Sequence, residues 1–191
     1  FKEQEMDTNN ITLSVVMPAY NEEQHIKDNL LETSRILSRF LHHYEIIAVN
    51  DGSKDSTGKL IAEAAEMDSH IVDTGYDVNQ GKGHAITTGI AKASGKYIAF
   101  LDSDLELSPS LLKPFMKQMR DTGSDIVIGS KLHPESKLDY PPIRRVMSYS
   151  YYIMLKMLFH LGIHDTQTGI KLFSRSHKAD CREPFHIGLC F

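Results

Sequence analysis

A chain of 191 residues has the length of one domain and enough of it to bury a sizeable core. Hydrophobic residues at 41% and charged ones at 24% exclude a disordered or fibrous chain, and a formal charge of −4 argues against a surface built to neutralise nucleic acid. The two cysteines, Cys181 and Cys190, have no C-x-x-C partner, so a reduced compartment is the default.

In chain order, Phe1–Asn10 is polar and aperiodic and reads as a frayed terminus. The β-branched run Leu13–Met17 predicts a first strand ending at Pro18, followed by the loop Ala19–Glu22. Apolar positions Ile26, Leu30, Ile36, Leu37 and Phe40 predict a helix within Glu23–His42. Tyr44–Val49 is a second strand, closed by Asn50-Asp51-Gly52-Ser53, and a helix then runs to about Met67. Ile71–Thr74 is a third strand; Gln80-Gly81-Lys82-Gly83-His84 opens a helix over Ala85–Ala93. Tyr97–Leu101 is a fourth strand, Ser110–Thr122 a helix and Asp125–Gly129 a fifth strand. This alternation implies βαβ units and a mainly parallel sheet, with a body over 11–175 and an irregular or truncated tail over 176–191. No stretch supplies the roughly 18–20 apolar residues that span a bilayer; Ile143–Gly162 comes nearest and is broken by Arg144, Arg145, Lys156 and His160.

The chemistry gathers where strands end. The apolar run of the fourth strand stops in Asp102, Asp104 and Glu106, and residues i, i+2 and i+4 of an extended chain point one way, so three oxygen donors can meet a hard cation such as Mg2+ or Mn2+. The same residues also fit an acidic turn before a helix opened by Ser108 and Pro109. In a parallel sheet the loops Pro18–Glu22, Asn50–Ser53, Gln80–His84 and Asp102–Glu106 share one rim, where open α/β sheets bind ligands. Gly81 and Gly83 flank Lys82 ahead of a helix, an arrangement open to phosphate or to a plain tight turn. Neither a P-loop motif nor G-x-G-x-x-G is present.

V-V-M-P-A-Y-N-E-E (Val15–Glu23), V-N-D-G-S-K-D-S-T (Val49–Thr57), N-Q-G-K-G-H-A (Asn79–Ala85), F-L-D-S-D-L (Phe100–Leu105) and D-T-Q-T-G-I-K-L-F (Asp165–Phe173) occur in that order. Over Leu13–Arg175 the chain resembles inverting nucleotide-sugar glycosyltransferases, most of all the dolichol-phosphate mannose and glucose synthases and their bacterial and archaeal polyprenyl-phosphate relatives. The resemblance implies the GT-A fold, a Rossmann-like α/β unit with a mostly parallel sheet and helices on both faces. It implies a metal-dependent transfer of hexose from a GDP-mannose or UDP-glucose type of donor to a polyprenyl phosphate.

Carried over residue by residue, the resemblance puts Pro18, Tyr20 and Glu22 at the nucleoside, Asp51 at the base or ribose and Lys82 near the nucleotide. Asp102, Asp104 and Glu106 would hold Mg2+ or Mn2+. Lys131 stands where relatives have Arg and gives phosphate a point charge without a planar fork. Arg144 and Ser148, i and i+4 on a helix, fall at the acceptor phosphate. Asp165, Gln167 and Thr168 belong to a loop under sugar and acceptor. A hydroxyl acceptor on a sugar or protein, with Asp165 as base, and a nucleotide-sugar-binding module without turnover are the alternatives. The tyrosine-rich run over Ile143–Leu161 reads either as a core helix or as one lying at headgroup level, which implies peripheral association at the cytosolic face of a membrane.

Overall fold

A computed structural model of the chain describes residues 11–129 and 170–175 in full, and 187–190 as backbone. Seven strands form one sheet in the order β3-β2-β1-β4-β6-β5-β7. They are β1 (Leu13–Ala19), β2 (Tyr44–Asp51), β3 (Ile71–Tyr76), β4 (Tyr97–Leu101), β5 (Ile126–Gly129), β6 (Ile170–Ser174) and β7 (Ile187–Cys190). The helices are α1 (Ile26–Leu37), α2 (Thr57–Met67), α3 (Lys82–Lys92) and α4 (Leu112–Thr122), the last entered through a 3-10 turn at Pro109–Leu111.

β1 is the axis of the site-bearing half. It pairs in parallel with β2, Leu13 opposite Tyr44 through Ala19 opposite Asn50, and in parallel with β4 from Leu13 opposite Tyr97 to Val16 opposite Phe100. The expected end at Pro18 is passed by one residue. Pro18 lies beyond the last β1–β4 pair, so its missing N–H is tolerated there.

Alternate residues of these strands face two cores. Leu13, Val15, Met17, Ile46 and Ala99 pack under α1, α2 and α4 through Ile26, Leu30, Ile61, Leu112 and Phe115. Val16, Ile47, Val49 and Ile98 form the second core with Ala85 of α3. Helices therefore cover both faces, and the middles of β1, β2 and β4 are apolar on both sides because neither face meets water there.

Two strands fall outside the predicted elements. β6 inserts antiparallel between β4 and β5, Leu172 lying opposite both Ala99 and Val127. Ile187–Cys190, expected to be irregular, pairs in parallel with β5. At the amino ends of the strands a buried polar knot ties the sheet: Ser14 Oγ donates to Glu45 Oε1 at 2.5 Å, Ser94 N donates to the same oxygen at 2.7 Å, and Gly95 N donates to Ser14 Oγ at 2.8 Å. Arg175, just past β6, donates to the Ser94 carbonyl at 2.6 Å. No helix among the described residues is long and apolar enough to cross a membrane.

α3 reaches the sheet through Gly89, where a Cβ would stand 2.3 Å from Val16 Cγ1 and 3.2 Å from Val49 Cγ2. Val16 is fully buried and β-branched, with little rotamer freedom to yield. Gly89→Ala should therefore lower the unfolding free energy by about 1–3 kcal/mol through overpacking. The measurement is a urea midpoint that falls at constant m-value; an unchanged midpoint would contradict this contact.

Candidate active site

The carboxyl ends of β1, β2 and β4 and the first turn of α3 surround a cavity of about 200 Å³. β1 supplies Pro18 and Ala19, and the loop after it Tyr20 and Glu22; β2 supplies Asp51, α3 supplies Lys82, and the turn after β4 supplies Asp102, Ser103 and Asp104. Tyr20 is 42% exposed at the mouth, whereas Asp51 at 3% forms part of the floor.

The first two loops are tied to each other before any ligand is considered. Asn21, at φ 55, turns the chain; its N–H donates to Ser53 Oγ at 3.1 Å and its Oδ1 accepts from Lys54 N at 2.9 Å. Glu22 N donates to Thr57 Oγ1 at 2.8 Å, and Glu23 exchanges bonds with Asp55 and Ser56. Burial pushes the Asp55 carboxyl up, but hydrogen bonds from the Thr57 hydroxyl and from the Thr57 and Glu23 N–H groups outweigh it and leave the group below its ordinary value. The lower rim is thus a rigid cradle.

Asp51 is held by the last residue of β3 and the loop that follows it. Tyr76 Oη donates to Oδ1 at 2.5 Å, Gln80 N to Oδ1 at 3.0 Å, and Asn79 Nδ2 to Oδ2 at 3.1 Å. Across the cavity Lys82 Nζ lies 2.6 Å from Asp102 Oδ1, a pair open to solvent with side-chain exposures of 61% and 35%. Asn29 of α1 donates to the Ser103 carbonyl at 2.8 Å and so fixes the turn that carries both aspartates.

The three carboxylates expected at the metal are placed unequally. Asp102 and Asp104 line the cavity, but Glu106 does not. The chain after Leu101 is a turn rather than an extended strand: Leu105 has φ 52, and Glu106 N donates to Asp104 Oδ1 at 3.1 Å. The i, i+2, i+4 rule fails where the strand has ended. Among the described residues no three His, Cys, Asp or Glu side chains gather as a metal-binding group. Two carboxylates are nonetheless a suitable hard-oxygen donor set for Mg2+ or Mn2+, which commonly take one or two carboxylates and complete their shell with water and phosphate.

Of the other expected residues, Pro18, Tyr20, Glu22, Asp51 and Lys82 meet at the cavity. Lys131, Arg144, Ser148, Asp165, Gln167 and Thr168, and the Ile143–Leu161 run, lie outside the described residues. Sequence reasoning assigned no role to Ser103, Tyr76 or Asn79, although Ser103 and Asn79 stood inside quoted motifs.

With this geometry in view, residues 14–180 match glycosyl transferase family 2. The chain belongs to that family. It is 35% identical over 178 residues to a dolichyl-phosphate beta-glucosyltransferase of Trichomonas vaginalis, which covers 88% of this chain and 55% of the relative. A dolichyl-phosphate beta-glucosyltransferase of Dictyostelium discoideum is 34% identical over 191 residues, covering 93% and 58%. The chain spans a little over half the length of these curated relatives. Among solved structures, glucosyl-3-phosphoglycerate synthase of Mycobacterium tuberculosis, in complex with Mn2+, uridine diphosphate and glucosyl-3-phosphoglycerate, superposes with a TM-score of 0.61 at 25% identity, covering 87% of this chain and 57% of that one. The fold is the GT-A fold expected of the family 2 chain.

The cradle makes an acid-sensitivity prediction. Because the Asp55 pKa lies below the ordinary 3.8, its carboxylate contributes stability in full above that value and loses it as pH falls through the lower native one. Urea midpoints of the wild type and Asp55→Ala should differ at about pH 6 and the gap should narrow as the pH falls below 3.8. A gap independent of pH would deny the carboxylate this role.

Proposed function

We propose that the protein is an inverting glycosyltransferase that moves a hexose from a nucleotide-diphosphate sugar to a polyprenyl phosphate of the dolichyl type. The observation that carries the reading is the convergence of Asp51, Lys82, Asp102 and Asp104 on one cavity in a family 2 chain. The names of the curated relatives support glucose as the sugar and dolichyl phosphate as the acceptor.

In this reading Tyr20 and Asp51 take the nucleoside and Lys82 faces the diphosphate. Asp102 and Asp104 would hold Mg2+ or Mn2+, which supplies positive charge to the diphosphate leaving group. The Mn2+ in the Mycobacterium tuberculosis structure supports a divalent ion at such a site. A phosphate acceptor is already anionic at neutral pH, so the protein has to orient it and screen its charge rather than remove a proton. Lys131, Arg144 and Ser148 are our candidates for that task, and Asp165, Gln167 and Thr168 for the sugar hydroxyls. Attack on the face opposite the leaving diphosphate inverts the anomeric carbon.

The test is transfer of labelled glucose from UDP-glucose, or mannose from GDP-mannose, to a short polyprenyl phosphate. Product should form with Mn2+, disappear in chelator and fall by about a hundredfold or more in Asp104→Ala. Product on a sugar hydroxyl instead would move the acceptor class, and full activity of Asp104→Ala in chelator would remove the metal from the reading.

A lipid-phosphate acceptor has to be met at a bilayer surface, and the basic, tyrosine-rich run over Ile143–Leu161 supports peripheral binding at the cytosolic face. Anionic vesicles should therefore float the protein at low salt and release it as salt screens the basic residues. Protein left wholly in the soluble fraction at low salt would favour a core helix.

A further inference from the structure

Asp51 and Tyr76 are direct neighbours on adjacent parallel strands, each the last residue of its strand. A carboxylate offers about four acceptor positions. Two on Oδ1 are taken by Tyr76 Oη and Gln80 N, and one on Oδ2 by Asn79 Nδ2. One position on Oδ2 is left for a ligand in the cavity that Asp51 lines. The loops on either side of the carboxylate pack closely against each other. Gly52, at φ +63, carries the β2–α2 loop so close to the β3–α3 loop that a Cβ there would stand 2.3 Å from Asn79 N.

We propose that Tyr76 is a positioning residue of the nucleoside subsite, its hydroxyl holding the Asp51 carboxylate so that a single Oδ2 lone pair accepts one N–H or O–H of the nucleoside. The proposal rests on the reading of the rim as a nucleotide-sugar site and adds to it the residue that sets how Asp51 is presented. Burial, and then the bond to Asp51, push the Tyr76 phenol far above its ordinary range, so the hydroxyl remains a donor throughout the neutral range. The ring has a separate structural contact, edge-on to His84 of α3 at 5.1 Å between centroids. Tyr76→Phe keeps that contact and removes only the hydroxyl.

The experiment is calorimetric titration of UDP, GDP and inorganic pyrophosphate, each with Mn2+, into the wild type and Tyr76→Phe, with thermal unfolding run alongside. Whichever nucleotide binds the wild type should bind Tyr76→Phe about tenfold more weakly, the loss expected when a charge-assisted hydrogen bond is misaligned, while pyrophosphate binding stays unchanged and the unfolding midpoint falls by no more than a few degrees. On an Asp51→Ala background the same change should cost nothing further, because the group being positioned is gone. Nucleotide binding untouched by Tyr76→Phe, nucleotide and pyrophosphate weakened together, or a full tenfold loss persisting in Asp51→Ala would each overturn the proposal while leaving the site reading intact. A wild type that binds neither UDP nor GDP would overturn the reading itself, and this proposal with it.

Discussion

Because β1 pairs in parallel with β2 on one side and β4 on the other, the segments that leave the carboxyl ends of all three strands emerge side by side on one rim. Pairing is enforced by burial on both faces: a slip of one residue would exchange the side chains of the two cores, sending Val15 and Met17 to the α3 side and Val16 to the side of α1 and α2. The site is therefore a consequence of strand register. Its residues stand far apart in sequence, and the sheet brings Glu22, Asp51, Lys82 and Asp102 to one cavity without any of them contributing to the hydrophobic core.

Register alone leaves loops free to move, and here hydrogen bonds supply the rest. Asn21 and Glu22 lean on Ser53 and Thr57, while Asn79 and Gln80 lean on Asp51. Most of these bonds join side chains to backbone N–H groups that a parallel sheet leaves unpaired past its strand ends. They satisfy the backbone and order the rim at the same time. Binding then has little loop entropy left to overcome, which favours affinity through preorganisation rather than added contact area.

What was legible in the chain follows the range of the forces involved. β1 to β5 and the four helices among the described residues came from local apolar patterning, with boundaries displaced by a few residues. β6 did not, although Ile170 and Leu172 are buried and Lys171 is half-exposed, because its partners β4 and β5 lie tens of residues away and periodicity carries no record of pairing. Ile187–Cys190 escaped for the same reason. At the site, Asp102 and Asp104 were legible from the strand that ends before them. The turn that carries Glu106 away from the cavity lining was not legible, because Leu105, a residue with no special liking for a left-handed conformation, gives no sign of it in the pattern. Tyr76 was invisible for a different reason: as a sequence position it is the aromatic end of a strand, and only the β2–β3 register sets it beside Asp51.

The electrostatics of the rim complete the picture. Two aspartates face one ammonium across the cavity, and the ammonium is engaged by only one of them, in a pair open to water. Exposed pairs of this kind contribute little, since solvent screens the attraction and both side chains lose freedom. Lys82 can thus leave Asp102 at small cost when a phosphate oxygen offers a stronger, charge-assisted bond. Asp51 is the opposite case, a side chain at 3% exposure whose Oδ1 accepts hydrogen bonds from Tyr76 Oη and Gln80 N. The cavity therefore combines a fixed anion at one end with an exchangeable ion pair at the other. A ligand with a hydrogen-bonding nucleoside and an anionic diphosphate matches that polarity end for end, which neither an apolar ligand nor a free sugar would do.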